Sequence, residues 1–348
     1  MLGTHRTMKI NRCLLALTCG ITVGLGGVAQ ASDTILWRPE GTGSAVTIGS
    51  FDWAPGNTLS VGGTTAVTNF LLNEGDGGDR DITFTTCFQA HLATTDVGTP
   101  PGLGIDGPFP ADYEYTVVLG FRESVTAVDF PTGKVATTFD FVAGQPNFFE
   151  IYYDELALIP DGTVNSNALA GIGYNDGTLV LAGTIVSAGS NFAIHVDDVT
   201  GIPTLSDFDQ FGANNYPGIL SVEGNGDTDP STGGTTALSV AVTFQNSAFF
   251  PASISIISLE FQTDQITPFL DVNPSALFWD GTTLFAPNIG SVNGLAEIDG
   301  GGPDFQFETD ARNTFTATRE VPEPATTSLL GLVLAAMILA VMRRSRAV

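Results

Sequence analysis

Between residues 32 and 320 apolar and polar positions alternate in short runs, broken about every ten residues by clusters of Gly, Pro, Asn and Asp. A period of two suits a strand with one buried face, and hardly any stretch shows a helical period. The pattern predicts strands at 46–53, 66–72, 82–88, 113–121, 124–130, 134–142, 148–153, 178–186, 191–196, 219–222, 237–245, 253–262, 304–308 and 312–318. Many of these runs are rich in β-branched and aromatic residues, which fit a pleated surface. The expected fold is all-β, an antiparallel β-sandwich. No internal repeat or sharp linker divides the run. A boundary at 214–218 or 224–234 is conceivable, but one domain accounts for the pattern as economically.

Two apolar segments depart from this pattern, one at each end. Lys9 and Arg12 precede an apolar stretch at 13–28, and Ala29-Gln30-Ala31 has the small-x-small form of a signal peptidase site, with cleavage expected before Ser32. Met8 would start a more typical signal peptide than Met1. Cys19 follows Ala16-Leu17-Thr18, which lacks the small residue that a lipoprotein signal places before its cysteine. At the other end residues 325–342 carry no charge. As a helix at about 1.5 Å per residue they reach roughly 27 Å, enough to cross a hydrocarbon core. Arg343, Arg344 and Arg346 follow, and would hold that end in the cytoplasm. Pro322 and Pro324 fix their own φ and keep Val321 and Glu323 out of the α region, so Pro322-Glu323-Pro324 is expected to stand extended above the membrane. The organisation read from the chain is a signal peptide at 1–31, a β-rich ectodomain at 32–320 and a C-terminal segment at 321–348 with a transmembrane helix.

The tripeptide Pro322-Glu323-Pro324, the apolar span and the Arg cluster together resemble the PEP-CTERM sorting segment of exopolysaccharide-producing Gram-negative bacteria. The resemblance covers less than a tenth of the chain. It implies an address: a membrane-embedded exosortase recognises the tripeptide and removes the tail, and the protein passes to the surface or extracellular matrix. Segments 147–154, 177–183 and 299–307 also look like parts of flocculation-associated PEP-CTERM proteins. That likeness implies a role in holding cells together through extracellular polysaccharide, with no binding residues to carry over.

Charge narrows the partners. All 37 acidic residues follow Ala31, and all but Glu323 lie in 32–320, against six Arg and Lys there, so the ectodomain carries a net charge of about −30. A phosphate backbone or an anionic membrane would be repelled, which excludes nucleic acid. Calcium, neutral polysaccharide or simple solubility suits such a surface. Once the signal segment is gone Cys87 is alone, so it is read as a small buried hydrophobe in a strand.

Candidate chemistry is sparse. His91 and His195 lie far apart, and although Val196-Asp197-Asp198 follows His195, no nucleophile elbow accompanies it. Adjacent acids such as Asp154-Glu155 raise a glycosidase reading. Oxygen ligands crowd the Gly-bearing loops 73–81, 224–234 and 299–304, and Asn225, Asp227 and Asp229 have the spacing that opens an EF-hand. Pro230 and Thr236 then stand where its glycine and glutamate belong. Trp37, Trp53, Trp279 and the aromatic run 148–153 offer faces for stacking on sugars.

The leading expectation is a non-enzymatic surface or matrix protein without a required cofactor, retained by exopolysaccharide. The alternatives are a secreted hydrolase of matrix glycan and an ice- or ligand-binding module that shares only the tail.

Overall fold

The computed structural model of the chain describes residues 34–104, 112–129, 134–156, 166–167, 170–195, 233–262, 276–288 and 303–317. These all belong to one compact unit, Ala31–Arg319. The signal segment, the C-terminal segment, the expected strand at 219–222 and the loop at 224–232 lie outside the described residues.

In chain order the elements are β1 (Ile35–Trp37), β2 (Val46–Ile48), β3 (Ser50–Val61), α1 (Gly63–Asp76), β4 (Thr83–Thr95), β5 (Tyr113–Asp129), β6 (Lys134–Val142), β7 (Phe148–Glu155), β8 (Thr178–His195), β9 (Gly233–Gln245), β10 (Ile254–Gln262), β11 (Phe278–Trp279), β12 (Leu284–Phe285) and β13 (Phe305–Ala317). The all-β, antiparallel expectation holds. The sheet differs from a sandwich, however, because it closes on itself. β3, β4 and β5 pair in turn, β5 pairs both β6 and β7, both of those pair β8, and β9, β10 and β13 follow. β13 then returns to β3, with Phe305 opposite Ser60 and Thr314 opposite Ser50. The result is an eight-stave antiparallel barrel, in which each described stave is paired on both sides.

Two consecutive strands build one stave. β6 runs alongside Arg122–Asp129 of β5, and β7 continues alongside Tyr113–Gly120. The break between them at 143–147 leaves the middle of β8 without a ladder partner on that side, while its other side stays paired with β9, and Asn147 fills the gap. Its Nδ2 donates to the Ile185 carbonyl at 2.9 Å, and its Oδ1 accepts from the Ile185 N–H at 2.7 Å. One amide side chain thus does the work of a missing strand residue.

The interior is apolar and filled. On β5, Tyr113, Tyr115, Val117, Leu119 and Phe121 occupy successive inward positions, all essentially inaccessible. Phe88 and Phe261 meet edge-on at 4.8 Å from β4 and β10, and Phe51 packs against Phe315 at 5.0 Å. Asp52, Asp140, Glu150, Glu260 and Arg312 lie on the outer registers with at least part of their surface in water. A membrane-spanning barrel reverses this arrangement, turning its apolar side chains outward. No described helix is long and apolar enough to cross a membrane.

Each end of the barrel is covered. The β1–β2 hairpin places Trp37 against Phe51 and Tyr115, with the indole N–H donating to the Tyr115 hydroxyl at 3.1 Å. At the other end sits α1, where a strand was expected at 66–72. The β-branched composition there suggested a strand, but Ala66, Val67 and Phe70 have helical spacing. They pack as one stripe on Phe84, Val125 and Phe139. Gly77 stops the helix in the left-handed region at φ 70°, with its N–H donating to the Asn73 carbonyl at 2.8 Å.

Three pairs of expected strands are each one long strand. Residues 113–121 and 124–130 form β5, 178–186 and 191–196 lie in β8, and 304–308 and 312–318 merge into β13. The ladder shifts register at Val125/Ala127, Ile185/Ser187 and Thr309/Ala311. A bulge adds one residue and resets the alternation, so those in β8 and β13 resemble turns in one dimension, while in β5 the charged pair Arg122-Glu123 interrupts the run ahead of the bulge.

An outer layer covers β4 and β5. Residues 166–167 and 170–177 and the β11–β12 hairpin lie over them, with the Thr116 hydroxyl donating to the Tyr174 carbonyl at 2.8 Å and Gln89 Nε2 to the Leu277 carbonyl at 2.8 Å. Gly171, at φ 68°, is where these two segments touch. A Cβ there would stand 2.0 Å from the Leu277 carbonyl oxygen.

Candidate functional site

Few of the residues singled out in the sequence are brought together. Ala29, Ala31, Ser32, Pro322, Glu323, Pro324, Arg343, Arg344 and Arg346 fall outside the described residues, as do Asn225, Asp227 and Asp229. His91 is buried in β4, opposite Thr116 of β5. His195 closes β8 opposite Lys134. Asp154 and Glu155 are neighbours in one strand, and successive side chains of a strand point to opposite faces, so the two cannot flank one glycosidic bond.

The aromatic expectation is corrected in part. Trp37 and Trp53 are core residues, and the Trp53 indole donates to Asn313 Oδ1 at 2.7 Å. Phe149 also faces the interior, whereas Phe148, Tyr152, Tyr153 and Trp279 keep part of their surface in water.

The loop 73–81 uses its oxygens internally. Asp76 binds the Arg80 guanidinium through both oxygens at 2.9 and 2.8 Å, and Asn73 Oδ1 accepts the Arg80 N–H at 3.0 Å. The hydrogen bonds from Arg80, then that from the Gly78 N–H, hold the Asp76 carboxyl down at about 2. Asp81 is likewise lowered, by the hydroxyl and backbone N–H of Thr83. A cation would have to displace a guanidinium here. Among the described residues no three His, Cys, Asp or Glu side chains are grouped as metal ligands. Asp304 in the third loop accepts from the N–H groups of Gly62 and Asn288.

Cys87 lies buried in β4, as its place in an alternating run suggested, against Leu59 and Phe278. Burial, followed by the charges of Asp280 and Asp304, pushes its thiol up to about 12. It is a packing residue rather than a nucleophile.

Two carboxyl groups form the polar centres that the sequence reading missed. Glu114, on the outer register of β5, is fully buried, with Ser166 lying against it. It accepts the Ser166 N–H at 2.9 Å on one oxygen and the Ser166 hydroxyl at 2.8 Å on the other. Glu123 faces the interior. Its two oxygens accept from the hydroxyls of Thr86 on β4 and Ser190 on β8. Burial raises its carboxyl above the usual value, with both hydroxyls opposing the rise. Strand parity carries the signal for Glu123: the odd positions from Tyr113 to Phe121 all face inward, and an uninterrupted strand puts position 123 there too. Ending the strand at 121 had placed Glu123 in a turn.

No family model matches the chain, and neither the curated proteins nor the solved structures contain a match.

Proposed function

We propose that the chain is an exported surface or matrix protein, cleaved by signal peptidase and then by an exosortase, which associates with extracellular polysaccharide and promotes flocculation or biofilm. The observation that carries this reading is the order Pro322-Glu323-Pro324, uncharged span, Arg343-Arg344-Ser345-Arg346 at the end of the chain. In it, residues 325–342 form a transmembrane helix that holds an inner-membrane intermediate until the tail is removed, after which the protein reaches the cell surface or matrix of a Gram-negative bacterium. The barrel supports the reading in two ways. Its last stave ends at Ala317, so only residues 318–321 separate a closed body from the tripeptide. Its interior is packed with side chains, which leaves the acidic exterior and the connecting segments to do the binding.

Cell fractionation with C-terminal sequencing of the mature protein tests the address. The expected product lacks the apolar span and is found at the surface or in the matrix; an intact chain that stays in the inner membrane would overturn the assignment. Replacing Pro322, Glu323 and Pro324 together by Ala should trap the membrane-bound form. Deleting the gene should weaken flocs while polysaccharide synthesis continues.

A further inference from the structure

We propose that the α1-covered half of the barrel is held shut by an un-ionised Glu123 and loosens when that carboxyl gives up its proton. Glu123 is 2 % exposed and stands opposite Phe84 on β4 and Phe141 on β6. Its hydrogen bonds to Thr86 and Ser190 tie β4, β5 and β8 together through the interior, although β5 and β8 are separated by the β6 and β7 stave. Next on its inward face comes Val125, in the cluster of Phe84, Phe139 and the α1 stripe of Ala66, Val67 and Phe70. In the other direction Phe121, Leu119 and the Phe88–Phe261 pair fill the barrel.

Burial among apolar side chains favours the un-ionised carboxyl, in which one of the two hydroxyls turns to accept the carboxylic proton while the other still donates to the remaining oxygen. A carboxylate is disfavoured, since two neutral donors among phenyl rings cannot replace its hydration. The charged groups of the surrounding elements are turned elsewhere. On α1, Glu74 and Asp76 are exposed, and Arg80 of the following loop binds Asp76. Asp81 is held by Thr83, and Arg122, next to Glu123, donates to the Thr83 hydroxyl at 2.6 Å. Asp129 of β5, Asp140 of β6 and Glu260 of β10 are exposed. Lys134 of β6 and His195 of β8 take register positions of opposite parity to Phe139 and Ser190. An ionised Glu123 therefore gains most by admitting water, and the mouth nearest to it in register is the one where Phe84 and Val125 meet α1.

The sign follows from linkage. Burial raises the carboxyl in the closed state, so its stabilisation is complete below the ordinary value of 4.5 and is lost as pH rises through the raised one. Acid closes this end and alkali loosens it.

Amide exchange of the full-length chain in mild detergent, wild type against Glu123→Gln from pH 4 to 9, tests this. At each pH the ratio of the two rates cancels the chemical exchange rate. For residues 63–76 the ratio of wild type to variant should rise with pH, by up to about tenfold per unit for one proton released. A ratio that stays flat, or a variant less protected than wild type at every pH, would overturn the proposal. Should Glu123→Gln not fold, Thr86→Val serves instead. Removing a donor that favours the carboxylate should widen the difference between acid and alkaline protection, and an unchanged or narrower difference would count against the pin.

Discussion

Single residues in this barrel are decided by which side of the sheet they face. Cys87 and Phe88 are neighbours in sequence, yet one packs against the β11–β12 hairpin outside and the other against Phe261 within. Because the Cys87 thiol is pushed up to about 12, Cys87 in the native protein should not react with a thiol reagent at pH 8, and should become reactive on unfolding in denaturant. Rapid labelling of the native form would show that the outer layer opens readily. Trp53 makes the complementary case. Read as a candidate sugar platform, it is a core indole bonded to Asn313, and Trp53→Ala should cost about 3–5 kcal/mol, measured as a fall in the denaturant midpoint. The buried state of Cys87 was legible, because a lone thiol in an alternating strand has few other uses. The inward place of Glu123 was not, because an acid reads as a surface residue until the parity of an unbroken strand is known.

At the scale of elements, local signals located strands well and joined them badly. The limits of β6 coincide with the expected 134–142, where charged or turn residues bound a clean alternation. The bulges in β8 and β13 resemble turns because a strand that gains one residue loses its phase in sequence while keeping its ladder in space, whereas β5 is interrupted in sequence by the charged pair Arg122-Glu123, ahead of its bulge. α1 was misread for the opposite reason: a short amphipathic helix with β-branched residues becomes evident only when Phe84, Val125 and Phe139 are there to receive its stripe. The break between β6 and β7 gives the sharpest test at this scale. Asn147→Ala would leave the N–H and C=O of Ile185 without their partners, and should lower stability by about 1–3 kcal/mol in denaturant unfolding. Asn147→Asp, which keeps the acceptor and loses the donor, should fall between the variant and the wild type.

The whole molecule depends on one long-range pairing. β3 and β13 lie at opposite ends of the described chain, and their ladder turns a meander into a closed body. Ending the chain before Phe305 would bare the edges of β3 and β10 together. That truncated protein should lose its cooperative melt and aggregate, as followed by calorimetry and light scattering, whereas a chain ending after residue 320 should keep both the melt and the barrel. Closure also bears on the proposed role. In that role a filled barrel would offer its acidic outer face and connections to a matrix.

The order of polar and apolar residues by itself determined that this body is made of strands, because a period of two is a local property that needs no partner. It also set the expectation for the two terminal segments, which rests on their length and charge alone. Only the tertiary structure decided that the sheet closes, that a helix covers one mouth and that one carboxyl belongs inside. Each depends on residues far apart in sequence meeting in space, and alternation specifies which face a side chain takes but not which strand lies beside it.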